Sequence, residues 1–155
     1  MTRHSLFVGT AIIAVLLAGS ALAQDARRAL NPDHLPDTTQ YGYSQANVVS
    51  AGAETIYVAG QVGMSDDGPN DFRSQVDRSF ENLLAVLEAA GAGPEDVVKI
   101  TLLIADHDPD KLAYLVEKRR AVFGANPPAS TLIPVTRLYA DGVSFEIDAT
   151  AVKQR

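Results

Sequence analysis

Residues 143–152 read VSFEIDATAV, an alternation that holds up to Ala151. Val143, Phe145, Ile147, Ala149 and Ala151 fall on one side; Ser144, Glu146, Asp148 and Thr150 fall on the other. A period of two is that of a strand half in the core and half out of it. Such a strand needs a sheet whose apolar face is covered by something else in the chain. Two segments can supply the cover. In Phe72 to Ala90, Val76, Phe80, Leu83, Leu84 and Leu87 recur at helical spacing, and Gly91 and Gly93-Pro94 stop the run. The second begins at Asp108-Pro109, an acidic N-cap followed by proline at the first helical position. Its apolar residues are Leu112, Leu115, Val116, Val122 and Phe123. Lys118, Arg119 and Arg120 suit its C-terminal end, and Gly124 closes it.

Four further segments read as strands: Ser44–Ser50, Glu54–Ala59 (closed by Gly60-Gln61-Val62-Gly63), Asp96–Ile104 and Thr131–Leu138. Asp141-Gly142 is a hairpin signal. The order β-β-α-β-α-β-β predicts an α/β (α+β) domain over 44–155, one mixed sheet with both helices on one face. Residues 24–43, with Pro32 and Pro36, read as an irregular lead-in. The other sheet face must meet water or another subunit. Leu102 and Leu132 read as too apolar to be wet, which predicts an oligomer.

The N-terminus carries Arg3, an apolar run from Leu6 to Ala18, and Ala21-Leu22-Ala23 before Gln24. This is the pattern of a secretory signal peptide over residues 1–23, and it predicts a periplasmic or secreted protein. The apolar run is shorter than the roughly 20 residues of a spanning helix. The 155-residue chain has a formal net charge of −6; cleavage removes Arg3 and no acid, leaving −7. An acidic domain without a basic run argues against nucleic-acid and membrane-surface binding. There is no cysteine, which excludes thiol nucleophiles and thiolate metal sites. His34 and His107 lie far apart in polar, turn-like contexts, so no metal site is expected.

Several motifs occur in one order along the chain: Tyr43-Ser44-Gln45-Ala46, Tyr57-Val58-Ala59-Gly60-Gln61-Val62-Gly63, Glu81-Asn82-Leu83-Leu84, Asp96-Val97-Val98-Lys99-Ile100-Thr101, Pro128-Ala129 and Phe145-Glu146-Ile147-Asp148-Ala149. Together they resemble the Rid (reactive intermediate deaminase, YjgF-like) family over nearly all of residues 24–155. The resemblance implies a chorismate-mutase-like subunit that assembles as a homotrimer with ligand clefts between subunits. It implies hydrolysis of small imines and enamines, with neither metal nor organic cofactor. It implies a cleft formed by Tyr43, Ala59, Gly60, Gln61, Ser130 and Thr131, with Glu146 near the attacking water.

One position departs from that pattern. In deaminating members an arginine follows Pro-Ala; here the residue is Ser130, too short and uncharged to hold a carboxylate as a guanidinium does. This argues against 2-imino acid deamination. On a regular strand Arg137 points to the opposite face from Ser130 and is no substitute. An arginine from a neighbouring subunit (Arg73, Arg78, Arg119 or Arg120) stays open. Glu146 is either the water-orienting carboxylate or an exposed strand acid, and Asp148 reads as a solvated or subunit-pairing charge. Three functions therefore compete: hydrolysis of an imine, enamine or related C–N substrate, small-molecule binding without turnover, and a protein-interaction or chaperone role.

Overall fold

The computed structural model describes residues 26–154; residues 1–23, expected from the sequence to be a signal peptide, lie outside them. The strands are β1 (Arg27–Leu30), β2 (Ala46–Val49), β3 (Glu54–Val62), β4 (Val97–Ala105), β5 (Ala129–Val135) and β6 (Phe145–Lys153). The helices are α1 (Phe72–Ala89), between β3 and β4, and α2 (Pro109–Phe123), between β4 and β5. Each starts on an aspartate cap, as the local chemistry requires: Asp71 accepts from the Ser74 N–H and Asp108 from the Lys111 N–H.

The main sheet runs β3-β6-β4-β5. β6 is antiparallel to both its neighbours, and β5 runs parallel to β4. Both helices cover one face. Val76, Phe80, Leu83 and Leu87 of α1 and Leu115 and Phe123 of α2 are buried against Phe145, Ile147, Ala149, Ile100, Leu102 and Ile104. Phe80 is the joint. Its ring stacks on Phe145 at 6.2 Å between centroids and meets Phe123 of α2 at 6.2 Å. The helices are also tied across their outer surface by Asp77, which accepts from the Tyr114 hydroxyl at 2.6 Å and pairs with Lys118 at 2.8 Å.

The alternation of residues 143–152, the two helices and the mixed sheet are as expected from the sequence. Four details differ. The lead-in is not irregular throughout, because Arg27–Leu30 forms a strand antiparallel to β2. Arg27 ties that ribbon to the domain by donating to Glu95 O, Asn47 Oδ1 and Asn126 O. β2 therefore sits in a separate two-stranded ribbon and not in the main sheet. Asp141-Gly142 does turn, with Gly142 at φ 82°, but it joins no hairpin, since β4 lies between β5 and β6. β5 ends at Val135, so Arg137 lies beyond the strand on which its orientation was argued.

The reason given for an oligomer also changes. Leu102 and Leu132 are register partners on the helix-covered face, where Leu102 is fully buried and Leu132 packs on the core. The uncovered face instead carries Tyr57 (83% exposed), Thr131, Ile133, Lys99, Thr101, Glu146, Asp148 and Thr150.

Gln75 closes the end of the core. It is buried; its Nε2 donates to Asn70 O at 2.7 Å and Gly142 O at 2.8 Å, and its Oε1 accepts from Ser144 N at 2.8 Å. Gln75→Leu keeps the bulk and strands three backbone groups. Chemical denaturation is expected to show a loss of about 2–4 kcal/mol; a loss within about 0.5 kcal/mol, the range of ordinary surface substitutions, would show that water satisfies those groups.

Candidate functional site

The residues expected to line a cleft fall into three groups within one chain. The first is a bulge. Val58 pairs with Ala149 and Gln61 with Ile147, so Ala59 and Gly60 together oppose Asp148. Gln61 Nε2 reaches back to Ala59 O at 2.9 Å, and Asn82 of α1 donates to Val62 O at 2.9 Å. Both bonds fix the bulge from its ends. Gly60 lies directly beside the Glu146 carboxylate: a Cβ on Gly60 would sit 1.8 Å from Glu146 Oε1. Glycine is needed here for close approach. The bulge thus leaves a carboxylate against bare backbone, with Glu146 half-buried on the face away from the helices.

The second group lies two strands away, at the start of β5. Segment 38–44 runs along it. Ser44 N donates to Pro128 O at 2.9 Å, and Ser44 bridges to Ala129. Gly42, at φ 73°, turns the segment against α2, where a Cβ would meet Arg119 Cβ at 2.9 Å. Tyr43 and Ser130 are both half-buried here. Between them stands Arg119 of α2, only 4% exposed. Its Nη1 donates to Ser130 Oγ at 3.2 Å, and its guanidinium carbon lies 5.6 Å from the centre of the Tyr43 ring. Burial pushes the Arg119 guanidinium below its ordinary pKa, partly offset by Tyr43.

The third group is Thr131 on the uncovered face. Its hydroxyl accepts from Lys99 Nζ. Burial pushes the Lys99 ammonium down, and the nearby Asp148 carboxylate pulls it back up.

Glu146 and Ser130 are not brought together within the chain. Ser130 pairs with Ile100 and Glu146 with Leu103, on strands flanking β4, and they face opposite ways. At about 3.3 Å per residue and 4.8 Å per strand, their backbones are about 14 Å apart. His34 and His107 are exposed and belong to none of the groups.

Arg119 was weighed in the sequence only as a helix-end charge and a donor from another subunit. A signal was present. Leu115, Arg119 and Phe123 are spaced by four, so the arginine lies on the buried stripe of α2, and all three are buried. The expected stripe position Leu112 is instead 38% exposed.

Comparison with known proteins agrees with this architecture. The family model Endoribonuclease L-PSP matches residues 36–153. A RutC family protein of Pyrococcus abyssi is 36% identical over 116 residues, covering 72% of this chain and 87% of that one. The 2-iminobutanoate/2-iminopropanoate deaminase of Rattus norvegicus is 35% identical over 115 residues, covering 72% and 80%. The crystal structure of YyfB from Yersinia pestis, a Rid-family protein of unknown function, superposes with a TM-score of 0.77 at 32% identity, covering 83% of this chain and 99% of that one. The fold and these matches define a Rid-type domain. The chain belongs to the Rid (RutC, YjgF-like) family.

The closeness of Gly60 and Glu146 gives a sharp expectation. A methyl at Gly60 displaces only the far end of a flexible side chain, so Gly60→Ala should cost less than about 1 kcal/mol in stability. It should nevertheless drive the Glu146 carboxylate out of its position, visible in a crystal structure of the variant. A carboxylate left in place, with the backbone of β3 shifted instead, would show that the bulge and not the side chain yields.

Proposed function

We propose that the protein is an exported homotrimer whose inter-subunit clefts hydrolyse a small imine, enamine or related C–N substrate. The observation that carries this reading is the Glu146 carboxylate set against Gly60, where a bulge opens the backbone beside an acid. A water held by that carboxylate can add to the C=N carbon, its proton passing through Glu146 to the nitrogen; the resulting carbinolamine then moves its hydroxyl proton to the amine, expels ammonia and leaves a carbonyl compound, with Glu146 again ionised. Tyr43, Ala59, Gly60, Gln61, Ser130 and Thr131 supply the rest of the cleft in this reading.

Two observations favour an assembly. The uncovered sheet face carries Tyr57 at 83% and Ile133 at 41% exposure. Glu146 and the Tyr43–Ser130 group, on opposite sides of one subunit, share a cleft when each comes from a different copy. The rat relative's name supports C–N chemistry. Export rests on the pattern of residues 1–23 alone. A second reading is a binding protein without turnover, favoured by Ser130 in place of the arginine that deaminating members carry. RNA is not part of the proposal, since an acidic chain supplies few cations to phosphate.

The test is ammonia release from freshly generated imines, alongside the mass of the protein by light scattering. Wild type should turn over at least one imine as a trimer, and Glu146→Gln should lower kcat by about 100-fold or more with its Tm unchanged. Saturable binding of the same compounds without ammonia release would leave the binding protein. A monomer with full turnover would sink the shared cleft.

A further inference from the structure

Arg119 is the one buried charge among the described residues, and it differs from the half-buried arginines. Arg27 has three oxygen acceptors, and Arg78 donates to Gly63 O, Pro69 O and Asn70 Oδ1. Those are structural arginines, each with three of its five N–H groups given to protein oxygens. The ion pairs among the described residues are Lys111–Asp108, Lys118–Asp77 and Lys153–Glu54, none involving Arg119. Arg119 is 4% exposed, and its sole hydrogen bond among the described residues goes to a neutral hydroxyl. Its buried Nε has no partner at all. The segment 38–44 beside it holds two more buried orphans, Thr38 Oγ1 and Ser44 Oγ.

A buried guanidinium without an anion is unfavourable, because desolvation is not repaid by pairing. A packing role does not explain the residue, since a leucine or phenylalanine on the stripe of Leu115 and Phe123 would fill the space without a charge. An unoccupied Nε with its neighbouring Nη is the donor pair that takes a carboxylate in two parallel bonds.

We infer that Arg119 is the anion-binding group of the cleft, holding from α2, together with the Ser130 hydroxyl, the carboxylate of a small ligand that enters between Tyr43 and Ser130. The ligand's identity as a C–N substrate rests on the function proposed above; the need for an anion rests on the burial of Arg119. The serine is then not a lost anchor. It is the short residue that leaves room for a guanidinium arriving from the helix. The same chemistry makes the site select small organic acids over their amides.

The experiment measures binding of pyruvate and of pyruvamide, its uncharged analogue, to the full protein by calorimetry, and ammonia release on the same samples. Wild type is expected to bind pyruvate saturably and pyruvamide at least tenfold more weakly. Arg119→Met should abolish that preference, Arg119→Lys should weaken it several-fold, and Arg120→Met, which removes an exposed charge next door, should leave it intact. Absence of pyruvate binding in wild type, or equal binding of the amide, overturns the inference. So does an unchanged preference in Arg119→Met. If Arg119→Met does not fold, Arg119→Lys decides, and unchanged pyruvate affinity there overturns it. Turnover that needs Glu146 but ignores Arg119 rejects the anion site and keeps the hydrolase. Arg119-dependent pyruvate binding without turnover keeps the anion site and rejects the hydrolase.

Discussion

The stack of Phe80 on Phe145 fixes the rest of the molecule. Phe145 begins β6, the strand that pairs with both β3 and β4. Once α1 sits on that ring, the parity of β6 is set. Ile147, Ala149 and Ala151 must follow Phe145 into the core, and Glu146, Asp148 and Thr150 must face away. A slip of one residue would bury two carboxylates and expose the aliphatic row, so the register is strongly held. The acid of the candidate site is placed by a hydrophobic contact on the far side of its own strand.

The same parity rule separates the functional groups. Ser130 is in register with Ile100 and shares its helix-covered side, while Thr131 joins Lys99 and Asp148 on the uncovered side. One subunit therefore offers the Glu146 acid on one face and the Arg119 guanidinium on the other. Among the described residues, nothing within one subunit joins the two. The bulge at Ala59-Gly60 matters for the same reason: it interrupts a strict alternation and lets backbone, not a side chain, approach Glu146.

Much of this was legible in the sequence where the signal is local. The alternation of VSFEIDATAV and the spacing of Val76, Phe80, Leu83 and Leu87 each name a buried face without reference to any other segment. What failed was pairing. Asp141-Gly142 is a sound turn signal, yet the parallel register of β5 on β4 is set by α2 packing across them, which no dipeptide encodes. β1 was missed because its ribbon is held by the hydrogen bonds of Arg27 rather than by an apolar period. Leu102 and Leu132 were assigned to the wrong face because hydrophobicity alone does not say which side of a central strand is covered. Ser130 reads as a departure from the pattern the resemblance implies, with compensation open along the strand or across subunits; the charge beside it in the fold comes from α2 instead.

Moving a cation from strand to helix changes more than its address. A guanidinium in contact with water is screened by it. Arg119 is held between the Tyr43 ring and Ser130 with almost no exposure, where the effective dielectric is lower and an anion is attracted more strongly per contact. The same burial penalises the charge when no anion is present, and pushes the Arg119 pKa down. The residue is tolerated because Gly42 lets segment 38–44 close tightly over it; any side chain there would strike the Arg119 stem. A glycine at 42, a serine at 130 and an arginine at 119 are thus one arrangement: two small residues make the space, and the third fills it with a charge whose natural partner comes from outside the chain.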